Sequence, residues 1–271
     1  MPGVTFDRAA GYYDATRGYP EGIDAQLRDA ILAYVQAHPA TRFLELGIGT
    51  GRIALPFLQA GCDYTGIDIS AAMMAELERK AAEQRLPLPQ LHLGDVAHMP
   101  FADASFDVVI SVHVLHLVDD WEATLREACR VVRPGGWIIL ANDEAVQHEP
   151  PNPPDLVFPA WNTILDQLEV PDDLRRARVV RGLDPRFVDV LRDQGAAIER
   201  VALVNYLRAP RTAREIARRF QERLVSSSWA VPDDLHAQAS QKLDEWLARV
   251  CSAPDLPFAD EARIDAIAAR M

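Results

Sequence analysis

The sequence predicts an α/β fold, and three stretches carry that prediction. Phe43-Leu44-Glu45-Leu46-Gly47-Ile48-Gly49-Thr50-Gly51 is an apolar, strand-like run that breaks into alternating glycines and passes straight into a helical pattern. Cys62 to Ile67 is a second strand-like run that ends at Asp68, with Ser70 placed to cap the helix behind it. Phe106 to Val112 is apolar enough to be a parallel strand covered on both faces. Strand alternating with helix is the pattern of a parallel sheet.

Length and composition bound what such a fold can be. At 271 residues, one core with an elaboration is the natural expectation. Hydrophobic residues make up 49% and charged residues 25%, as in an ordinary globular protein. A formal net charge of −12 argues against a nucleic-acid substrate, because a phosphate-binding surface needs concentrated lysine and arginine. Cys62, Cys129 and Cys251 are widely spaced, so free thiols in a reducing compartment are expected rather than a disulfide framework or a metal site. Met1 to Arg8 lacks a signal-peptide apolar region, and no stretch reaches the roughly 18 apolar residues of a spanning helix, so a cytoplasmic protein without a membrane segment is expected.

Taken in order, Phe6 to Pro20 is a short aromatic-rich segment without a simple amphipathic period. Ile23, Leu27, Ile31, Tyr34 and Val35 then repeat at helical spacing over 21–38, and Pro39 is expected to stop that helix. Strand one is Arg42 to Leu46. In the loop behind it, glycine permits positive φ and lets the backbone approach a ligand, while the following helix (about 52–60) offers unpaired N–H groups. Strand two ends at Asp68 and is followed by Ile69 and a helix to about Arg85. An acid there, about 20 residues past a glycine loop, is placed to accept from ribose hydroxyls, at about 1.5–3 kcal/mol per charge-assisted bond. Met73 suits either an adenine face or the core. Strand three is Gln90 to Leu93 and strand four Phe106 to Val112, which includes Ser111. A helix follows at Leu125 to Val132, then a turn at Arg133-Pro134-Gly135-Gly136 and strand five at Trp137 to Ala141.

The motif order resembles one family. E-L-G-x-G-T-G, with its third glycine one residue early for the dinucleotide pattern G-x-G-x-x-G and Arg52 in that glycine's place, is similar to motif I of the class I S-adenosylmethionine (SAM)-dependent methyltransferases, type 11. Gly94-Asp95-Val96 followed by P-F-x-D-x-S-F-D-x-V resembles the family segment that grips adenine, and V-V-R-P-G-G-W-I-I-L its helix-to-strand turn. The resemblance implies a Rossmann-like, mostly parallel seven-stranded sheet with helices on both faces and SAM at the carboxyl ends of the strands. It implies Glu45 and Gly47 at the methionine end, Asp68 at the ribose and Asp95 and Val96 at adenine, with Gly49, Gly51, Ile69, Met73 and Ser111 also among the cofactor-binding residues. Residues 6–20 resemble the family's N-terminal lid, which implies Tyr13 and Arg17 near the methionine moiety, Arg17 pairing with its carboxylate; a packed entry helix with a solvated arginine is the alternative.

After strand four, Leu115-His116-Leu117 lies where the family often carries Leu-His-His. His116 is the candidate for a substrate-facing base, because histidine alone titrates near neutrality unperturbed; a histidine satisfied within the fold is the alternative, and His113 is expected to be structural.

Beyond Asn142 the order loosens. Glu149-Pro150-Pro151-Asn152-Pro153-Pro154 is expected to be an exposed connection. Helices are expected at 158–168 and 184–194, a sixth strand at 198–207, helices at 212–224 and 233–250, and a last strand at 263–269 with helix as its alternative. The expected organisation is a lid and first helix over 1–41, a SAM-binding core over 42–144, and a C-terminal half over 145–271 that completes the sheet and carries a helical cap over the substrate mouth at 212–250. Residues 171–223 hold thirteen arginines and no lysine against eight acids. A solvated arginine face accounts for this, as does attraction of an anionic substrate.

The expected activity is transfer of the SAM methyl group to a small-molecule acceptor by in-line displacement, with no metal. A SAM- or S-adenosylhomocysteine-binding protein without transfer is a second reading. A nicotinamide oxidoreductase is a third, against which the glycine spacing argues. The acceptor, its reacting atom and the oligomeric state stay open.

Overall fold

The computed structural model describes residues 6–145, 150–175 and 182–271. Residues 1–5, Glu149 of the proline-rich segment and Arg176, Arg178 and Arg181 of the arginine-rich stretch lie outside them. After a 3-10 turn (Asp7–Ala9; a second lies at Ser226–Ser228), the elements run α1 (Tyr13–Arg17), α2 (Ile23–Tyr34), β1 (Arg42–Leu46), α3 (Ala54–Gln59), β2 (Asp63–Asp68), α4 (Ala71–Glu83), β3 (Gln90–Leu93), β4 (Phe106–Val112), α5 (Trp121–Val131) and β5 (Val132–Ala145). There follow α6 (Pro153–Gln167), α7 (Asp172–Arg175), α8 (Pro185–Asp193), β6 (Ala197–Leu207), α9 (Ala213–Gln221), α10 (Asp233–Val250) and β7 (Glu261–Arg270).

The strands form one seven-stranded sheet in the order β3-β2-β1-β4-β5-β7-β6. The pairings of β1 with β2 and β4, of β2 with β3 and of β4 with β5 are parallel. Strand alternation divides β1 between two cores. Phe43 joins Ile23, Leu27 and Ile31 of α2 and Phe57 of α3 on one face. Leu44 and Leu46 join Leu125 and Ala128 of α5 and Phe187 and Leu191 of α8 on the other.

Three boundaries differ from expectation for identifiable reasons. α2 ends at Tyr34, ahead of Pro39, because Gln36 takes a left-handed φ of +52°. Arg133-Pro134-Gly135-Gly136 lies inside β5 as a bulge between the pairs Phe106–Val132 and Val108–Trp137. The chain end holds it there: Gly135 N–H donates to Met271 O at 2.6 Å, and Met271 N–H to Gly136 O at 3.0 Å. Pro153 and Pro154 do not belong to a connection but open α6, where a missing N–H is one the first turn would leave unpaired anyway.

The chain comprises two compact units, 1–144 with 180–206 and 262–271, and 145–179 with 207–261. The first contains the sheet up to its chain crossings. The second has a core of its own, in which Val157, Trp161, Ile164 and Leu165 of α6 meet Phe220 of α9 and Leu243 and Leu247 of α10. Its α9 starts with a capping box in which Thr212 and Glu215 satisfy each other's backbone N–H. Among the described residues no helix is long and apolar enough to cross a membrane.

Candidate active site

In the first unit the segments after β1, β2, β3 and β4 surround a cavity of about 210 Å³ at the carboxyl ends of the strands, the usual ligand position in a parallel α/β sheet. Tyr13, Gly47, Gly49, Asp68, Ile69, Met73, Asp95 and Val96 line it, so eight sequence candidates converge there. Arg17, Glu45, Gly51, Ser111 and His116 are not among the lining residues. Phe6, His98, His113, Val114, Leu117 and Val118 are, without having been singled out for it.

The glycine loop is bent by local geometry. Gly47 sits at φ +67°, and a Cβ on it would come within 2.6 Å of Val114 Cγ2. Gly49, at φ +54°, turns its N–H onto Asp68 Oδ2 at 2.8 Å. Asp68 Oδ1 accepts from Ser70 N–H at 2.8 Å. Each Asp68 oxygen therefore has a backbone donor and keeps further acceptor capacity. Burial raises the Asp68 pKa above the carboxylate norm, while the N–H groups of Ser70, Gly49 and Ile69 pull it back. Across the cavity, Asp95 Oδ1 accepts from Ala97 N–H at 2.9 Å. Gly94 N–H donates to Asp68 O at 2.9 Å and so ties the ends of β2 and β3. Ile69, Met73 and Val96 add apolar surface to the lining.

Two other candidates have different surroundings. Glu45 is buried on the Phe43 face of β1, where Tyr64 Oη donates to it at 3.0 Å. Burial pushes its pKa up to about 8. Gly51, at φ +80°, faces Leu77 and Leu55, where a Cβ would approach Leu77 Cγ to 2.7 Å.

The N-terminal segment is fastened to the rim. Asp7 accepts from Ser70 Oγ at 2.5 Å, and Asp14 accepts from Thr50 Oγ1 and Lys80 Nζ, both at 2.6 Å. Arg52 donates to Arg17 O at 2.7 Å and lies over the Tyr19 ring at 4.5 Å. Phe6 and Tyr13 meet edge-to-face at 6.2 Å where they line the cavity.

At the end of β4 the chain turns on His113, whose φ of +59° is uncommon outside glycine and costs about 1–3 kcal/mol. Its Nε2 lies 3.2 Å from Asp143 Oδ1, with a fifth of each side chain accessible (22% and 19%). The N–H is not well aligned on the carboxylate. Asp143 also accepts from Tyr19 Oη at 3.0 Å and from Tyr206 Oη at 3.2 Å. Burial depresses the His113 pKa, and Arg52 and Arg17 add to this, against the pull of Asp143. Burial opposes the charge on Asp143, yet His113, Arg52 and Tyr19 together hold its pKa below the usual range. Burial raises the Tyr19 pKa, so that hydroxyl stays protonated. His113, Asp143 and Tyr206 were not picked out from sequence. Their common signal is a polar residue at or just past the carboxyl end of a strand.

Comparison with known proteins agrees with this geometry. Residues 44–140 match the family described as "Methyltransferase domain". A demethylmenaquinone methyltransferase of Streptomyces griseus is 35% identical over 136 residues, which is 50% of this chain and 57% of that protein. A malonyl-[acyl-carrier protein] O-methyltransferase of Serratia marcescens is 32% identical over 136 residues, 50% of each chain. The chain thus spans only about half the length of the curated relatives it matches. Among solved structures, the YcgJ protein of Bacillus subtilis superposes with a TM-score of 0.60 at 18% identity, over 90% of this chain and 97% of that one. That likeness is one of fold.

Proposed function

We propose that residues 44–140, which match the family described as "Methyltransferase domain", are of the class I, SAM-dependent kind and that the chain transfers the methyl group of SAM to a small-molecule acceptor. The observation that carries the proposal is the Asp68 carboxylate, oriented at the cavity by Gly49 and Ser70 N–H with acceptor capacity to spare.

The residues present fit an adenosine group. Asp68 would take ribose hydroxyls, Asp95 and the Val96 backbone the adenine edge, and Ile69 and Met73 its faces. Gly49 is a further fit, since a Cβ there would crowd Met73 Cε at 3.4 Å. Glu45, Gly51, Ser111, Tyr13 and Arg17 belong to the proposal as supports of the methionine end. When bound, SAM supplies a methyl carbon activated by a positive sulfur that leaves as a neutral thioether. What remains for the chain is alignment of the acceptor, exclusion of water, and removal of a proton where the acceptor carries one. His116 and His113, both following β4, are the groups available for that last task. The helical unit holding 212–250 is proposed to select the acceptor. The acidic charge of −12 supports a small acceptor rather than a nucleic acid, and the free thiols of Cys62, Cys129 and Cys251 suit the cytoplasm.

Calorimetric titration with S-adenosylhomocysteine, with NADH in parallel, tests the cofactor. Binding of the first alone is expected, and Asp68→Asn should weaken it about tenfold or more through the charge-assisted bonds lost. NADH binding alone would overturn the assignment. Tight S-adenosylhomocysteine binding without methylation of any acceptor would leave a binding protein of the same fold.

A further inference from the structure

We propose that His113, held by Asp143, is the base that deprotonates the acceptor, and that the acceptor is an apolar molecule reacting through a hydroxyl group of phenol or enol type. The inference rests on the methyltransferase reading and gives its acceptor a chemical class.

The geometry places the histidine where such a base belongs. His113 lines the same cavity as Gly47, Gly49, Asp68 and Asp95, and the next residue, Val114, is the side chain that a Cβ on Gly47 would strike. Its left-handed backbone is a conformation the surroundings must enforce: His113 N–H donates to Ala141 O at 3.3 Å, and Leu117 N–H closes the following turn on Val114 O at 2.7 Å. His116 does not line the cavity.

The partners fix its chemistry. Nε2 lies buried against Asp143 Oδ1 without an aligned hydrogen bond; closing that bond would fix the Nε2–H form and leave the Nδ1 lone pair for a ligand. A long, imperfectly aligned base–carboxylate contact is common before the substrate is bound. Tyr19 and Tyr206 each donate to Asp143, so the carboxylate is oriented from two further sides. Such an arrangement keeps the imidazole neutral at rest and gives the imidazolium a counter-charge once a proton arrives. An acceptor that is already anionic needs no such group. A hydroxyl does: its O–H bond would break, the proton would bond to Nδ1, and an oxygen electron pair would form the bond to the methyl carbon as that carbon's bond to sulfur breaks and its electron pair leaves with the thioether. Val112, Val114, Leu117 and Val118 line the cavity with it, which suits an acceptor with an apolar body.

The charged groups facing His113 are Asp143 on β5, Arg52 behind the glycine loop and Arg17 at the end of α1, with the Tyr19 and Tyr206 hydroxyls on Asp143. Asp119 and Asp120 also line the cavity. Removal of the carboxylate should therefore lower the midpoint of His113 titration. The test is twofold. First, the His113 imidazole is titrated by NMR in the wild type and in Asp143→Asn, without cofactor; the midpoint should fall in the variant, and an unchanged midpoint overturns the dyad. Second, labelled SAM is offered with a panel of apolar phenols, enols, amines and thiols to wild type, His113→Gln and His116→Gln. Methylation at oxygen is expected, with kcat reduced about 100-fold or more in His113→Gln, S-adenosylhomocysteine affinity and acceptor KM little changed, and a smaller loss in His116→Gln. Turnover of amines or thiols alone, no hydroxyl turnover despite tight S-adenosylhomocysteine binding, or an active His113→Gln overturns the inference. Failure of the wild type to bind S-adenosylhomocysteine is a separate result and overturns the methyltransferase reading beneath it.

Discussion

Glu45 shows how one side chain can be part of a motif and also a cost to the fold. Burial favours its neutral form and raises its pKa to about 8, and the Tyr64 hydroxyl and Arg52 recover only part of the difference. Between the ordinary glutamate range and pH 8 the folded chain holds a proton that the unfolded chain has released, so stability falls as pH rises through that window. Glu45→Gln should remove this slope and leave the variant as stable as wild type at pH 5 and more stable at pH 8.5, by an amount on the order of 1 kcal/mol or more. Urea melts at the two pH values check it, and a wild type whose stability rises over that range would sink the assignment. The glycine pattern makes Glu45 legible as a motif acid, and strand alternation puts it on the Phe43 side. Its partner is not legible, because Tyr64 comes from β2 and reaches Glu45 only through a strand pairing that the one-dimensional pattern leaves unstated.

At the scale of elements, the N-terminal segment is held more by polar fastenings than by packing. α1 buries no residue, yet Asp14 bridges the glycine loop at Thr50 and α4 at Lys80. Because Asp14 is partly exposed (41%), the pair with Lys80 contributes about 1 kcal/mol or less to global stability. Its effect should be local. Asp14→Ala is expected to shift the melting temperature little, while amide exchange over residues 7–17 quickens and S-adenosylhomocysteine affinity falls several-fold through loss of the Tyr13 wall. Unaltered exchange in the variant would show that the segment is held by other means. β1, β3 and β4 keep the boundaries read from sequence, since each is a short apolar or alternating run between turn signals. α6 and β5 do not, and in both the misleading signal was proline. In α6 it marks a first turn, and in β5 it rides on a bulge whose pairing partner is the far end of the chain.

The whole molecule has two compact units, the second with a core of its own. Among the described residues, all that line the cavity belong to the first unit, whereas Trp161 of the second is fully buried among Phe220 and His236, with ring centroids 5.2 and 5.6 Å away. From sequence only the helices of 212–250 stood out as an insertion. α6, expected as a helix at 158–168, was not joined to them, because about 45 residues separate it from α9 and their packing is a tertiary fact without a local pattern. Trp161→Ala should cost about 3–5 kcal/mol, enough to loosen the second core. If cofactor binding belongs to the first unit and acceptor choice to the second, the variant will bind S-adenosylhomocysteine nearly as wild type does while its methylation of the preferred acceptor collapses. Calorimetry and a labelled-methyl assay on the same preparation separate the two. Equal loss of both would mean that the second core is needed to hold the cavity itself, and the division of roles would have to be abandoned.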